Sequence, residues 1–160
     1  MKSASIINKD KLLKFIGILD DALRELKAIS ELDKAQVLSS RDRFAMENLF
    51  YRLAMVCIDM CFHVVAKKAG SVPGTYRECF SELVTLGILD PGLAGKLDEL
   101  AGLRNVIAHA YWSIDYGLLY DFLSELEEIK RFRNEILAIL PPLEQLEKEL
   151  AQDDESAESE

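Results

Sequence analysis

Proline and glycine are scarce in this chain, four and eight residues among 160. That scarcity disfavours a fold built from many tight turns, such as an all-β sandwich. Three cysteines, Cys57, Cys61 and Cys79, cannot all pair with one another and sit among apolar neighbours, which argues against a disulfide-framed secreted module. Only two histidines occur, His63 and His109, with no HExxH and no Cys-x-x-Cys pair, so no metal and no other cofactor is expected. The glycines stand singly and form no phosphate-cradling loop, which excludes a nucleoside-triphosphate enzyme of the P-loop kind. No run approaches 18 uninterrupted apolar residues, and Met1-Lys2-Ser3 leads into no signal-peptide core. The expectation is a soluble cytoplasmic domain with no membrane partner. A basic excess is missing too: 28 acidic against 19 basic side chains give a formal charge of -9. Five of the acids (Asp153, Asp154, Glu155, Glu158 and Glu160) crowd the last eight residues, and the remainder carries only -4. Such a balance argues against a generic DNA-coating protein while leaving room for a local basic site.

What is present is helical periodicity. Leu12, Phe15, Ile16, Leu19, Leu23, Leu26 and Ile29 recur at three- and four-residue spacing, with Asn8 or Asp10 available as the cap. The longest periodic run extends from about Asp33 to Ala69, with Ser39-Ser40 as a break or a cap within it; Gly70 stops it and Ser71 to Gly74 form a turn. Thr75 to Leu86 reads as a short helix. Asp90-Pro91 then begins another, an N-cap followed by proline in the first turn. The pattern fails around Ala110 to Ser113, and Asp115 caps a last helix from Tyr116 to about Ile139. Pro141-Pro142 interrupts it, LEQLEKEL adds a turn or two, and the tail is polar and acidic. These signals predict an all-α, up-and-down antiparallel bundle of four to five helices over residues 1–150, followed by a disordered tail at 151–160. Phe44, Phe50, Phe62, Phe122 and Phe132 offer more apolar surface than one small core needs, so a homodimer is expected.

One stretch stands apart, Arg104-Asn105-Val106-Ile107-Ala108-His109-Ala110-Tyr111. On a regular helix Asn105 and His109 share a face, as do Arg104 and Tyr111. Arg104 and His109 point roughly 140° apart at 3.6 residues per turn. They converge on one ligand only if the helix distorts after Arg104 or a symmetry-related chain supplies the missing side. A structural reading has Arg104 paired with an acid while His109 and Tyr111 finish the helix, where a histidine is electrostatically favoured. A functional reading has a multi-donor guanidinium and an imidazole serving one phosphate. On the long second helix, Asp59 and His63 lie within about 20° of the Arg52 line, on either side of it. This line is either a solvated flank or one wall of a polar cleft facing the motif. Cys57 and Cys61 lie near the apolar stripe and read as buried thiols.

An arginine, four residues, a histidine, one residue and a tyrosine, set in a small acidic helical chain, resemble the motif of the HEPN superfamily and, more narrowly, its HepT-like toxins. LDELAGLRNVIAHAYWSID resembles that group's signature region, and AMENLFYRLAMVCIDMCFHVV its long second helix. The resemblance runs from about Ile6 to Leu140. It implies antiparallel helices assembled as a homodimer, with the two motifs approaching across the two-fold axis to form a shared cleft. It implies metal-independent cleavage of an RNA substrate, with Arg104 and His109 as the catalytic pair. It also implies a partner, an MntA-type nucleotidyltransferase antitoxin that adenylylates Tyr111.

The chemistry suits these residues. Metal-free cleavage needs a proton taken from the 2'-hydroxyl and one delivered to the 5'-oxygen, and His109 is the natural carrier of one of them. Arg104 can hold the non-bridging oxygens. Asn105 could fix the imidazole tautomer, while Arg52, Asp59 and His63 are placed as supporting or interface groups, with Lys67 or Lys96 as further cations. Two rivals stand beside this reading. One is a catalytically silent helical partner of a nucleotidyltransferase that keeps the pocket as a phosphate seat. The other is a plain structural bundle.

Overall fold

A computed structural model of the protein describes residues 7–140. The turns expected after Pro142, the extension of the domain to residue 150 and the acidic tail lie outside the described residues. Seven α-helical segments are present among the described residues: α1 (Lys9–Ser30), α2 (Lys34–Leu38), α3 (Asp42–Ala69), α4 (Tyr76–Thr85), α5 (Pro91–His109), α6 (Tyr116–Phe122) and α7 (Leu126–Ala138). Two single 3-10 turns, Tyr111–Ser113 and Leu123–Glu125, complete them.

Helix starts follow side-chain caps. Asn8, Asp33, Thr75, Asp90 and Asp115 each accept a hydrogen bond from a backbone N–H one turn on, which satisfies a donor that the helix leaves orphaned. Of the two caps proposed for α1, Asn8 is the one used. At Ser39-Ser40 the chain breaks: both hydroxyls donate to carbonyls of α2, which ends there. Helix α3 stops at Gly70, whose φ of +66° a residue with a Cβ adopts only at a cost. The single helix expected from Tyr116 to Ile139 is divided instead. A tightened turn at Leu123–Glu125 resets the register so that Leu119, Phe122, Leu123, Leu126 and Ile129 all face inward.

The four long elements form a ring, α1 against α3, α3 against α5, α5 against α7 and α7 against α1. Single contacts fix the direction of each pair. The start of α1 meets the end of α3 through Asn8 and His63. Tyr116, just beyond α5, donates to Glu47 near the start of α3. Asp90 at the head of α5 pairs with Arg131 in the middle of α7, while Lys96, further along α5, reaches back to Glu125 just before α7. Tyr120 donates to the Leu32 carbonyl just past α1, and Asp20 in the middle of α1 holds Arg133 of α7, the Nη2–Oδ2 bond measuring 2.9 Å. Every neighbouring pair is therefore antiparallel, as the short connections require. The all-α up-and-down bundle expected from periodicity is the fold observed.

Helix α3 is the axis of the core. It packs against α1, α4, α5 and α6, and buries Met46, Phe50, Leu53, Cys57, Met60, Cys61 and Val64. By length and composition α3 could cross a membrane, with a mean hydropathy of 1.7 over its most apolar 18 residues, but half of that stretch is buried within this bundle. Each large apolar side chain removed from water contributes about 1.5–3 kcal/mol. Phe50, Phe122 and Phe132 are spent on this core, and of the aromatic surplus that suggested a dimer only Phe44 is exposed and Phe62 half-buried. The three thiols are buried, Cys61 Sγ lying 2.6 Å from Cys79 Sγ where α4 docks on α3. Burial pushes the thiols of Cys57 and Cys61 well above the ordinary range, so neither is poised as a nucleophile.

Candidate functional site at the end of the fifth helix

Helix α5 is regular from Pro91 through His109, and the backbone departs from helical geometry only at Ala110, with φ -142° and ψ 42°. No distortion intervenes between Arg104 and His109, so the roughly 140° between their side chains persists. His109 ends the helix with its side chain exposed. Tyr111 and Trp112 follow in the 3-10 turn, 69% and 76% exposed, their rings edge-on at 5.5 Å. Neither His109 nor Tyr111 has a side-chain hydrogen bond to another described residue. An exposed tryptophan beside an exposed tyrosine is the uncommon feature of this surface.

Arg104 is half-buried and anchored. Its Nε–H donates to Met55 Sδ on α3 at 3.2 Å, and Nη1 donates to Asn105 Oδ1 at 3.0 Å. The Asn105 amide nitrogen donates in turn to the Tyr76 hydroxyl at 3.2 Å. Both ends of that amide are thus engaged away from the His109 ring. Arg104 forms no ion pair within the described residues, and the acid expected as its structural partner is replaced by neutral groups. Asp59 of α3 feels the charge of both Arg104 and Lys11 of α1. Partial desolvation raises the Asp59 carboxyl above the ordinary carboxylate value, while Lys11 and Arg104 pull it back down.

The line Arg52, Asp59, His63 keeps its polar character along α3 but does not act as one unit. Arg52 lines a shallow groove between α1 and α3 beside Asp21 and Glu25. Asp59 looks toward Arg104 and Lys11, one helical turn from His63. His63 is half-buried, and its Nε2 accepts the backbone N–H of Asn8 at 3.2 Å, fastening the first turn of α1 to the end of α3. Of the additional cations considered, Lys96 is held by Glu99 and Glu125 on the α5–α7 side, whereas Lys67 lies beside His63. Met55 and Tyr76 are the neighbours of the motif that spacing did not disclose, brought there by the packing of α3 and α4 on α5. Lys11 of α1 comes in turn to Asp59. Among the described residues no three His, Cys, Asp or Glu side chains gather as a metal site would require.

The His63 contact has a consequence for acid stability. Burial, together with Lys11 and Lys67, holds the imidazole below its ordinary value of 6.5, with Asp59 one turn earlier on the same helix. The unfolded chain therefore takes up this proton first as pH falls. The contribution of His63 is complete above about pH 6.5 and is lost progressively below it, as the proton occupies the nitrogen that accepts Asn8. Chemical denaturation followed from pH 7.5 to 5 should show stability dropping across the lower half of that range. His63→Gln, which cannot titrate, should flatten the drop; an unchanged slope in that variant would remove His63 as its source.

Comparison with known proteins gives the family and the fold. A family model described as ribonuclease HepT-like matches residues 19–136. The tRNA nuclease HepT of Aphanizomenon flos-aquae is 29% identical over 134 residues, covering 83% of this chain and 90% of that protein. The mRNA nuclease HepT of Shewanella oneidensis is 25% identical over 88 residues, 54% of this chain and 66% of that protein. Among solved structures, the tri-AMPylated Shewanella oneidensis HEPN toxin in complex with MNT antitoxin superposes with a TM-score of 0.74 at 20% identity, over 82% of this chain and 99% of that one. The cytosolic protein YutE of Bacillus subtilis gives 0.73 at 18% identity, over 84% and 91%. At those identities the solved structures speak for a shared helical fold. The family model reaches from the middle of α1 almost to the end of α7 with the whole motif inside it, and the chain belongs to the ribonuclease HepT-like family.

Proposed function

We propose that this protein is a metal-independent RNA endonuclease, the toxin of a toxin–antitoxin pair, working in the cytoplasm at a site shared between two copies of the chain. The RNA endonuclease class follows from family membership. The observation that carries the rest is the straight run of α5 through His109, which leaves Arg104 and His109 on different faces of one helix with the imidazole and the Tyr111 phenol bare. A single chain presents half of what a phosphodiester needs. A two-fold copy set against the end of α5 supplies the other half, and the exposed Tyr111, Trp112 and Val106 are the apolar surface available for that approach.

In the proposed reaction the 2'-oxygen of one nucleotide attacks the adjacent phosphorus as its proton leaves. The bond from phosphorus to the 5'-oxygen breaks, and that oxygen takes up a proton. The products are a 2',3'-cyclic phosphate and a 5'-hydroxyl. His109 carries one of the two proton transfers and solvent the other. Arg104 holds the non-bridging oxygens, whose charge grows in the transition state. Two of its five N–H groups are occupied by Met55 and Asn105, which leaves three for the phosphate.

Tyr111 is the proposed control point. Its oxygen would attack the α-phosphorus of ATP on a nucleotidyltransferase antitoxin, releasing pyrophosphate and leaving AMP on the phenol. The bulk and negative charge then occupy the phosphate seat and repel RNA. The solved relative described as a tri-AMPylated HEPN toxin with MNT antitoxin is the support for this partner.

The test is end-group analysis of RNA cleaved by protein made without any nucleotidyltransferase, stripped of metal and kept in EDTA, with intact mass checked for added AMP. Cyclic 2',3'-phosphate ends are expected. Ends bearing a 3'-hydroxyl, or cleavage that requires added divalent cation, would overturn the mechanism. Failure of the unmodified dimer to cut any of several structured RNAs would favour the silent-partner reading, in which the same pocket only binds phosphate.

A further inference from the structure

The contacts around Arg104 reach a residue that the motif does not contain. Tyr76 is the first residue of α4, 28 positions before Arg104, and its hydroxyl accepts the Asn105 amide nitrogen at 3.2 Å while Asn105 Oδ1 accepts Arg104 Nη1 at 3.0 Å. Its ring is half-buried and packs on Phe80 at 6.2 Å between centroids. We propose that Tyr76 is a positioning residue for Arg104, acting through Asn105, and that α4 thereby sets the aim of the guanidinium in RNA cleavage. The kinetic consequence rests on the reaction proposed above; the positioning itself does not.

The argument starts from helix geometry. Neighbours i and i+1 on a helix do not face each other, so nothing in α5 alone makes Asn105 bend toward Arg104. An asparagine amide has an acceptor end and a donor end that differ little in shape, and its orientation is decided by what surrounds it. Flipped, Asn105 would set an NH2 group against a guanidinium, donor against donor. The donor-only guanidinium therefore selects the orientation that offers Oδ1, and the Tyr76 hydroxyl takes the NH2 end and pins the amide in place. The guanidinium is then held at two atoms by two helices, Nε by Met55 of α3 and Nη1 by α4 through Asn105. A fork fixed at two points keeps its remaining donors in one plane and one direction, which is what a preorganised phosphate clamp requires. Tyr76 also lies one turn before Cys79, whose buried thiol rests against Cys61 of α3, so the N-terminal half of α4 is itself seated on the core.

The experiment compares wild type, Tyr76→Phe, Asn105→Ala and the double variant. Phenylalanine keeps the ring on Phe80 and deletes only the hydroxyl, and thermal melts check that the fold is kept. Two readouts are taken, RNA cleavage resolved into kcat and KM, and nitrogen-15 relaxation of the Arg104 Nε–H group in the RNA-free protein. Tyr76→Phe is expected to lower kcat by about tenfold with KM within about twofold, as loss of aim rather than loss of binding predicts. The double variant should be no worse than Asn105→Ala alone, since both act through one path. In both single variants the Arg104 Nε–H, still held by Met55, should become more mobile than in wild type. An Arg104 signal as ordered in Tyr76→Phe as in wild type would overturn the proposal, and so would effects of the two variants that multiply. If Arg104 loosens as expected but wild-type protein cuts no RNA, the cleavage reading falls and the positioning stands.

Discussion

His109→Ala should lower single-turnover cleavage of RNA by about 10²–10⁴-fold, the span that general acid–base catalysis supplies, and leave the fold unchanged. The separation of those two effects is what the position of His109 permits. It is the last residue of α5, exposed, with no side-chain hydrogen bond to another described residue. Truncating it opens no cavity, and surface substitutions of this kind stay within about 0.5 kcal/mol. The structural reading of the motif, in which His109 merely favours the end of a helix, predicts only that small stability change and no loss of rate. Gel-resolved cleavage beside a thermal melt on the same preparation decides between them. A variant that melts like wild type and cuts like wild type would dismiss His109 from the chemistry. His109→Gln, which keeps a polar side chain but cannot shuttle protons near neutral pH, should fall with the alanine form rather than rescue it.

Arg104 differs in kind, and the difference is physical. Its side chain is half-buried against Met55 and bonded to Asn105, so shortening it removes packing as well as charge. Lysine in its place keeps the charge and loses the fork. Loss of rate in an Arg104 variant therefore says less about mechanism than the same loss at His109.

The helices were legible in the sequence because two local signals agreed. Three-and-four spacing marked the inward faces, and Asn8, Thr75, Asp90 and Asp115 marked the starts, each of them a cap in the structure. The motif was legible because it interrupts that regularity: periodic leucines give way to arginine, asparagine, histidine and paired aromatics within nine residues. The division of the last helix at Leu123–Glu125 was not legible, since its trigger is the register in which Phe122 and Leu126 both reach the core. Nor were the neighbours of Arg104. Spacing along α3 suggested Arg52 as the companion of Asp59, but spacing describes one helix at a time. The docking of α1 brings Lys11 to Asp59 and draws Arg52 into a groove beside Asp21 and Glu25. The dimer argument changed its basis as well. Most of the phenylalanines credited to an interface fill the core, and the case for a second chain now rests on an undistorted α5.

That case makes a second large prediction, recovery of activity from two inactive proteins. If the working pair is Arg104 of one chain and His109 of its two-fold mate, a heterodimer of Arg104→Gln and His109→Ala chains carries one doubly altered pairing and one wholly intact pairing. Random assortment after co-refolding makes about half of the dimers heterodimers by two-fold symmetry, so the mixture should regain about a quarter of wild-type activity. Each parent alone should show under about one hundredth. Glutamine at 104 is the appropriate partner because it retains much of the side-chain length lying along Met55, which guards against an unfolded parent. Should Arg104 and His109 of the same chain instead bend toward one phosphate, every pairing in the heterodimer carries one lesion and the mixture stays as inactive as its parents. The measurement is cleavage rate against mixing ratio, with dimer content followed by native mass spectrometry. A bell-shaped curve peaking at equal amounts supports the shared site, and a flat baseline in the presence of abundant heterodimer removes it. The geometry favours the bell: about 140° separates the two side chains on one regular helix, so a single chain aims them at different sides.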